Sequence, residues 1–513
     1  MFCTLILLHF WPLLVLERIV THDGAAHVYN SELILRILSG DNLVRDFISI
    51  KSFPEPNWSG HFILAVLQKF FSPILADKFF LSAYIIFLPF FFFKLIKKIK
   101  PENSYAAFLV IPFIFSNFFF LGVYNFLSGV VCLIAALSIV LPRMERGGLG
   151  NFVRILFFSL LLYFCHLLAL GIFLIMIFIA QIFISTKKVK KSNTFSELFR
   201  TGLPVLIAVL PSLILVFFFF AGKSSIPVII PDVQWSELFK FLFFIAPVCT
   251  LTDYPENIYA AVLFFLIIFL FAVVIKRKLS FNHEKKSSKE FYQTPAFWGS
   301  ATLIMLIFYF IFPDSAATGG VVKLRFELFF YLMLIVFLST FKAPAYSRLV
   351  TIIIISPWIA LKLVYLVPMM KTLDNDAHKI MEAAHQIEKG KTLLPLNYSS
   401  NWMHDNLFNY AGTINNIFIL DNYEASSPHF PLTWKVDKDP NLILGNFNGY
   451  PPLCANINDF KLKTGHTIDY VALWNFYPSD DSCTKSILKI LSSDYTLVNG
   501  EESDPKLYKR IGK

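Results

Sequence analysis

Charged residues are scarce in this 513-residue chain, at 16% of its length. A soluble chain carries roughly a quarter, so the shortage excludes an ordinary water-soluble globular protein. Cysteine is also sparse. The six present show no zinc-ligand spacing, and the chain has neither a Walker loop nor a dinucleotide fingerprint. Internal repeats are absent, which argues against the transporter folds built from them. What the chain has instead is apolar length: 56% hydrophobic residues, 59 of them Phe. These fall into runs such as Phe79–Phe93, Val130–Leu141, Leu167–Ser185, Val205–Phe220 and Ile258–Ile275. Such runs approach the ~20 residues that carry a helix across a ~30 Å hydrocarbon core. Several are apolar on every side, as lipid requires.

The net charge of +10 suggests nucleic acid only until the positions are read. Most of the excess lies in short clusters between apolar runs: Lys94–Lys100, Arg143–Arg146, Lys187–Lys191, Lys276–Lys278 with Lys285, Lys286 and Lys289, and Lys342 with Arg348. With Arg154 and Arg200, the five loops that hold these clusters carry 20 Lys and Arg; the short loops between them hold four, Lys223, Lys240, Lys323 and Arg325. That asymmetry is the positive-inside pattern. It predicts a cytoplasmic N-terminus, about eleven spans and an outside C-terminal tail. Nucleic acid is not an expected partner; the membrane is.

The first apolar stretch, about residues 2–20, reads as an uncleaved helix, because Glu17 and Arg18 interrupt its end and no small-residue cleavage site follows cleanly. A long outside loop, 21–78, follows. It contains two amphipathic surface stretches, Gly24–Leu38 and Ser59–Phe71. Further helices are expected near 79–97, 104–119, 123–141, 152–164, 167–185, 203–220, 257–275, 296–312, 327–341 and 349–368, with an interfacial piece at Trp235–Thr250. The transmembrane domain thus covers 1–369. From 370 to 513 the apolar runs shorten, and Asn, Asp and Pro rise. Asp376–Lys389 and Ser482–Leu491 read as helices. Thr392–Leu396, Asn416–Leu420, Tyr470–Trp474 and Tyr495–Asn499 read as strands. The alternation predicts a small α/β domain. If it faces an oxidising compartment, Cys454 and Cys483 are able to pair.

The segment after the first helix carries the chemistry: Thr21-His22-Asp23-Gly24-Ala25-Ala26-His27-Val28-Tyr29-Asn30. An acid stands just outside the membrane at a helix start, with His27 four residues on. Pro54-Glu55-Pro56-Asn57-Trp58-Ser59-Gly60-His61 and an apolar surface helix come next. In this layout the chain resembles the GT-C superfamily of polytopic glycosyltransferases, closest to its uncharacterised bacterial branch. The resemblance covers the architecture of most of the chain and rests on layout more than on signature motifs. It implies a polyprenyl-phosphate-linked sugar as donor, and a first-loop acid that acts as base on the acceptor hydroxyl or as a metal ligand. A carboxylate beside a low-dielectric boundary is suited to general-base work. Asp23 is equally placed as a plain helix cap. His27 is a candidate for orienting Asp23 or meeting the donor phosphate, or is a polar residue at the interface.

One departure bears on cofactors. Metal-dependent relatives carry a second acid in the next outside loop, but here that loop, Ser116–Asn125, has no carboxylate. The expectation is therefore no certain cofactor, with Asp46 and Glu55 as substitutes should a divalent metal bind. Glu55, His61, His166, Lys323 and Arg325 are the substrate-binding candidates. A guanidinium at Arg325, beside the Gly319-Gly320 pair, suits a phosphate; it equally suits an anchoring cation or an ion pair with Glu327. His166 is a boundary histidine, facing a cavity or packed structurally.

The expected protein is a polytopic α-helical membrane protein, GT-C-like, with an extracytoplasmic α/β domain, in a bacterial inner membrane. It would pass a sugar with inversion to a lipid or glycan acceptor. Asp23 would serve as base, and Arg325 would steady the leaving phosphate. A transporter or lipid flippase, or a non-catalytic scaffold presenting the tail, are the alternatives.

Overall fold

The computed structural model describes residues 1–51, 55–192, 196–221, 234–250, 254–280, 290–315, 320–449, 451 and 453–512. Pro54, Lys285, Lys286, Lys289, Gly319 and most of the Gly222–Gln234 loop, Lys223 included, lie outside these. The chain divides into two compact units. One comprises residues 1–11, 82–120 and 125–366; the other comprises 12–81, 121–124 and 367–513.

The first unit is helical. Among the described residues of the whole chain, seven helical segments are long and apolar enough to cross a membrane: Pro73–Ile99, Pro101–Leu121, Tyr124–Arg146, Leu167–Lys188, Arg200–Ala221, Pro255–Arg277 and Ala345–Ala384. Their outward faces are apolar. The Arg200–Ala221 segment exposes Leu203, Leu206, Ile207, Leu210, Ile214, Phe217 and Phe218. An aqueous surface would select against such a face, and lipid selects for it. This is an integral membrane protein. Shorter apolar helices, Leu149–Cys165 and Pro295–Ile311, accompany the seven.

Three expectations change in detail. The first apolar stretch is two short helices, Phe2–Leu8 and Trp11–Val15, and not one helix over 2–20. Pro12 has no N–H to offer the preceding turn. Beyond Val15, the N–H groups of Glu17 and Arg18 donate to the Asp374 carboxylate, each at 2.9 Å, which takes the donors a continuing helix would need. Second, the stretch expected near 104–119 begins as a tight 3₁₀ helix, Pro101–Phe113, bracketed by Pro101 and Pro112. Third, the helices expected at 349–368 and 376–389 are one helix, Ala345–Ala384.

The second unit joins first-loop helices to the tail. Its five-stranded sheet has the order Phe418–Ile419, Thr392–Asn397, Tyr470–Trp474, Lys506–Arg510, Tyr495–Leu497. The first three run parallel, and the last two add antiparallel. The Lys506–Arg510 strand escapes sequence reading because cations flank its buried Leu507. A first-loop strand, Ile48–Ile50, pairs antiparallel with Leu432–Trp434 in the tail. The helices Gly24–Ser39 and Ser59–Gln68 lie in the same unit. Gly412 admits the ring of Tyr29: a Cβ there would come within 2.3 Å of it. Cys454 and Cys483 are bonded.

Candidate functional site

The helix Gly24–Ser39 starts at Asp23, yet Asp23 does not cap it. Its side chain makes no cap hydrogen bond. The Oδ1 atom accepts instead from His22 Nδ1 at 2.8 Å and from Asn406 Nδ2 at 3.1 Å. His22 reaches on through Nε2 to Asp405 Oδ2 at 3.3 Å. Burial alone would lower the His22 pKa, but the two carboxylates outweigh it and raise it to about 9. At neutral pH, Asp23 therefore faces an imidazolium. Its side chain remains 17% exposed, so the carboxylate is held yet reachable.

His27 turns elsewhere. Its backbone N–H donates to Asp23 O, but its ring meets His61 and Glu424. His27 Nδ1 lies 3.4 Å from His61 Nε2 and 2.7 Å from Glu424 Oε1. His61 Nε2 lies 2.6 Å from Glu424 Oε2. All three residues are buried, and one ligand-capable atom from each falls within a 4.8 Å group. Desolvation opposes charge on both His27 and Glu424. Mutual attraction prevails, so His27 is raised and Glu424, held by His27 and His61, falls to about 2. The aromatic rings of Tyr124 and Phe430 flank His27, at 5.1 and 5.9 Å between centroids.

Local structure explains the convergence. The Ser59–Gln68 helix is inverted with respect to a soluble one: His61 is buried, while Phe62 is 63% exposed. Gln68 Nε2 donates to Val28 O at 3.0 Å, which ties this helix to Gly24–Ser39. Glu424 sits on the single turn Tyr423–Ser426, capped by Asn422 through the Ala425 N–H. Asn422 and Asn30 exchange side-chain hydrogen bonds at 2.7 and 3.1 Å. The Ile419 N–H donates to the Tyr29 hydroxyl at 2.9 Å. One face of a first-loop helix thus fixes the tail turn that delivers Glu424. The buried Tyr423 hydroxyl is held protonated, first by desolvation, then by the charges of Asp23 and Glu424.

Of the residues singled out by sequence, the structure brings His27 and His61 together and gives Asp23 a different histidine partner, His22. Glu55 is buried in the same unit. Asp46, considered as a metal ligand, is engaged by Lys438 and by His466 Nε2, the latter at 2.5 Å. Arg325, Lys323 and His166 belong to the other unit. The Arg325 guanidinium lies over the Phe126 ring at 5.2 Å. Lys323 Nζ donates to the carbonyls of Phe310 and Tyr309 at 3.0 and 3.3 Å, closing the end of the Pro295–Ile311 helix. His166 accepts the Leu168 N–H at 3.2 Å, a cap at the start of the Leu167–Ser192 helix. Sequence reading missed His22 as the partner of Asp23, although adjacency was a signal. It missed Asn406 and Glu424, for which nothing local gives a signal. No protein-family model matches the chain, and no curated protein matches it significantly.

Proposed function

We propose that this chain is a membrane glycosyltransferase that moves a sugar from a polyprenyl-phosphate donor to a lipid or glycan acceptor. Asp23 is the base that takes the acceptor hydroxyl proton as the new glycosidic bond forms and the sugar–phosphate bond breaks. The observation that carries this reading is the Asp23 carboxylate: placed at a helix start, not spent on capping, oriented by His22 and Asn406, and still reachable. A general base needs that combination of fixed orientation and access. Arg325 and Lys323 are engaged within their own unit.

The same reading puts the protein in a bacterial inner membrane, with its N-terminus cytoplasmic and its tail outside. The basic loops support that orientation, and the Cys454–Cys483 bond suits an oxidising compartment. About eleven spans follow if Leu149–Cys165, Pro295–Ile311, Val322–Ser339 and the broken first segment join the seven long ones.

Lipid and glycan profiling of a deletion strain tests the function. A polyprenyl-phosphate-linked sugar should accumulate, and its acceptor should go unmodified. The wild-type chain should reverse both, and Asp23→Asn should reverse neither. A deletion strain with unchanged lipid-linked sugars would remove the proposal.

A further inference from the structure

We propose that His27, His61 and Glu424 form a transition-metal site, of the zinc class, that staples the first loop to the C-terminal tail. Two imidazole nitrogens and a carboxylate converge on one point from three separate chain segments, 34 and 363 residues apart. The three ligand-capable atoms fit within 4.8 Å. A zinc ion bonded at ~2.0–2.1 Å holds tetrahedral ligand atoms about 3.3 Å apart. His27 Nδ1 and His61 Nε2 stand 3.4 Å apart, already at that spacing. The carboxylate oxygens are closer, at 2.7 and 2.6 Å from these nitrogens. They would draw back by roughly half an ångström as an ion enters.

Polar satisfaction points the same way. Glu424 Oε1 is buried and receives no aligned hydrogen bond despite its nearness to His27. A buried carboxylate oxygen left so is costly, and a cation on its open side removes the cost. The donor set selects the ion. Two imidazoles with one carboxylate suit zinc and its late first-row neighbours, whereas calcium and magnesium take oxygen ligands. Three protein ligands leave one position for a water. The ring of Phe430 lies against both histidines, at 5.9 and 5.8 Å between centroids, an apolar wall that strengthens each bond to the ion.

The site is separate from the base assigned under the proposed function. The Asp23 carboxylate bonds His22 and Asn406, and the side chain of none of the three ligands. Its role is mechanical. An ion there would fix the Tyr423–Ser426 turn to the helices Gly24–Ser39 and Ser59–Gln68, next to the Asn30–Asn422 pair. The Asp405–Asn406 segment that holds His22 and Asp23 belongs to the same tail.

The test uses full-length protein, purified in detergent through a tag without histidines and offered zinc. Elemental analysis should find about one ion per chain after dialysis. His61→Gln and Glu424→Gln should each bring that below about a tenth. Chelation should lower the thermal midpoint of the wild type but not that of either variant. Should both variants fail to fold, cobalt loading of the wild type decides: a tetrahedral visible band supports the site, and an octahedral spectrum or none overturns it. Wild-type protein that holds no ion and melts identically with and without chelator also overturns it, leaving a histidine–carboxylate ion-pair cluster. Asp23→Asn should keep its ion in full. Metal retained in a protein without sugar transfer ends the functional proposal and leaves this one standing, and the reverse result does the opposite.

Discussion

Glu327 and Glu424 are both buried carboxylates, one in each unit. Glu327 accepts a backbone N–H, from Ala246 at 2.9 Å. Lys362, in the same unit, gives its ammonium to the carbonyls of Phe115 and Val248. Glu424 meets side chains instead, His27 and His61, brought from far along the chain. The difference has a physical source. A helical membrane unit has breaks where backbone groups lack partners, as at Ile245–Val248, and a polar side chain there satisfies them. In the loop-and-tail unit Asp374 likewise takes the backbone N–H groups of Glu17 and Arg18, but Glu424 lies on a capped turn and is satisfied by side chains brought to it. Charge bonded to backbone tolerates a neutral isostere. Charge bonded to charge does not.

The largest effect that this contrast predicts falls on activity. Asp23→Asn should cut sugar transfer by about 10²–10⁴-fold, because an amide cannot take the proton. Asp23 does not cap its helix, so expression and melting should change little. Normal turnover measured for this variant would detach Asp23 from catalysis. Next comes stability. Glu424→Gln should cost about 3–5 kcal/mol by leaving buried His27 and His61 without the carboxylate that satisfies them, whereas Glu327→Gln keeps an acceptor for Ala246 and should cost about 1 kcal/mol. Thermal unfolding of both in one detergent checks the pair, and equal losses would erase the distinction between the units.

Asn30→Ala and Asn422→Ala should each cost about 1–3 kcal/mol. Together they should cost less than their sum by about 0.5–2 kcal/mol, as a double-mutant cycle on melting would read. Strict additivity would mean that the two amides act independently. The smallest effect is with pH. The His22 pKa is raised to about 9 from its ordinary 6.5. Its contribution is therefore complete below about pH 6.5 and lost as pH rises through 9. Because His22 is 22% exposed, solvent screening leaves on the order of 1 kcal/mol. His22→Gln should flatten that stretch of the stability–pH curve; an unchanged slope would show that the pair with Asp23 carries no stability.

Much of this molecule is local in origin, and that part is legible. Apolar runs near twenty residues mark the membrane helices because hydrocarbon thickness imposes their length. Tyr470–Trp474 declares itself as a strand by a short run holding Tyr, Val and Trp, and Thr392–Leu396 by a short apolar run bounded by polar residues. Pro12 and Pro112, by contrast, break or tighten helices that hydropathy alone extends. Asp23 stood out because it follows an apolar stretch and precedes a helix. The same position suggested a cap, and only the observed bonds to His22 and Asn406 separate the alternatives.

Composition and period suffice for a membrane protein with a strand-bearing tail, since both act over tens of residues and need no partner. His27 and His61 were legible as site candidates in the first loop. That their rings meet, and meet at Glu424, was decided only by tertiary structure. Glu424 lies 363 residues beyond His61, on one turn capped by Asn422 and held by Asn30. A single buried carboxylate carries no periodicity, and its partners are set by which surfaces pack. Folding alone determines that three scattered side chains share one dry point.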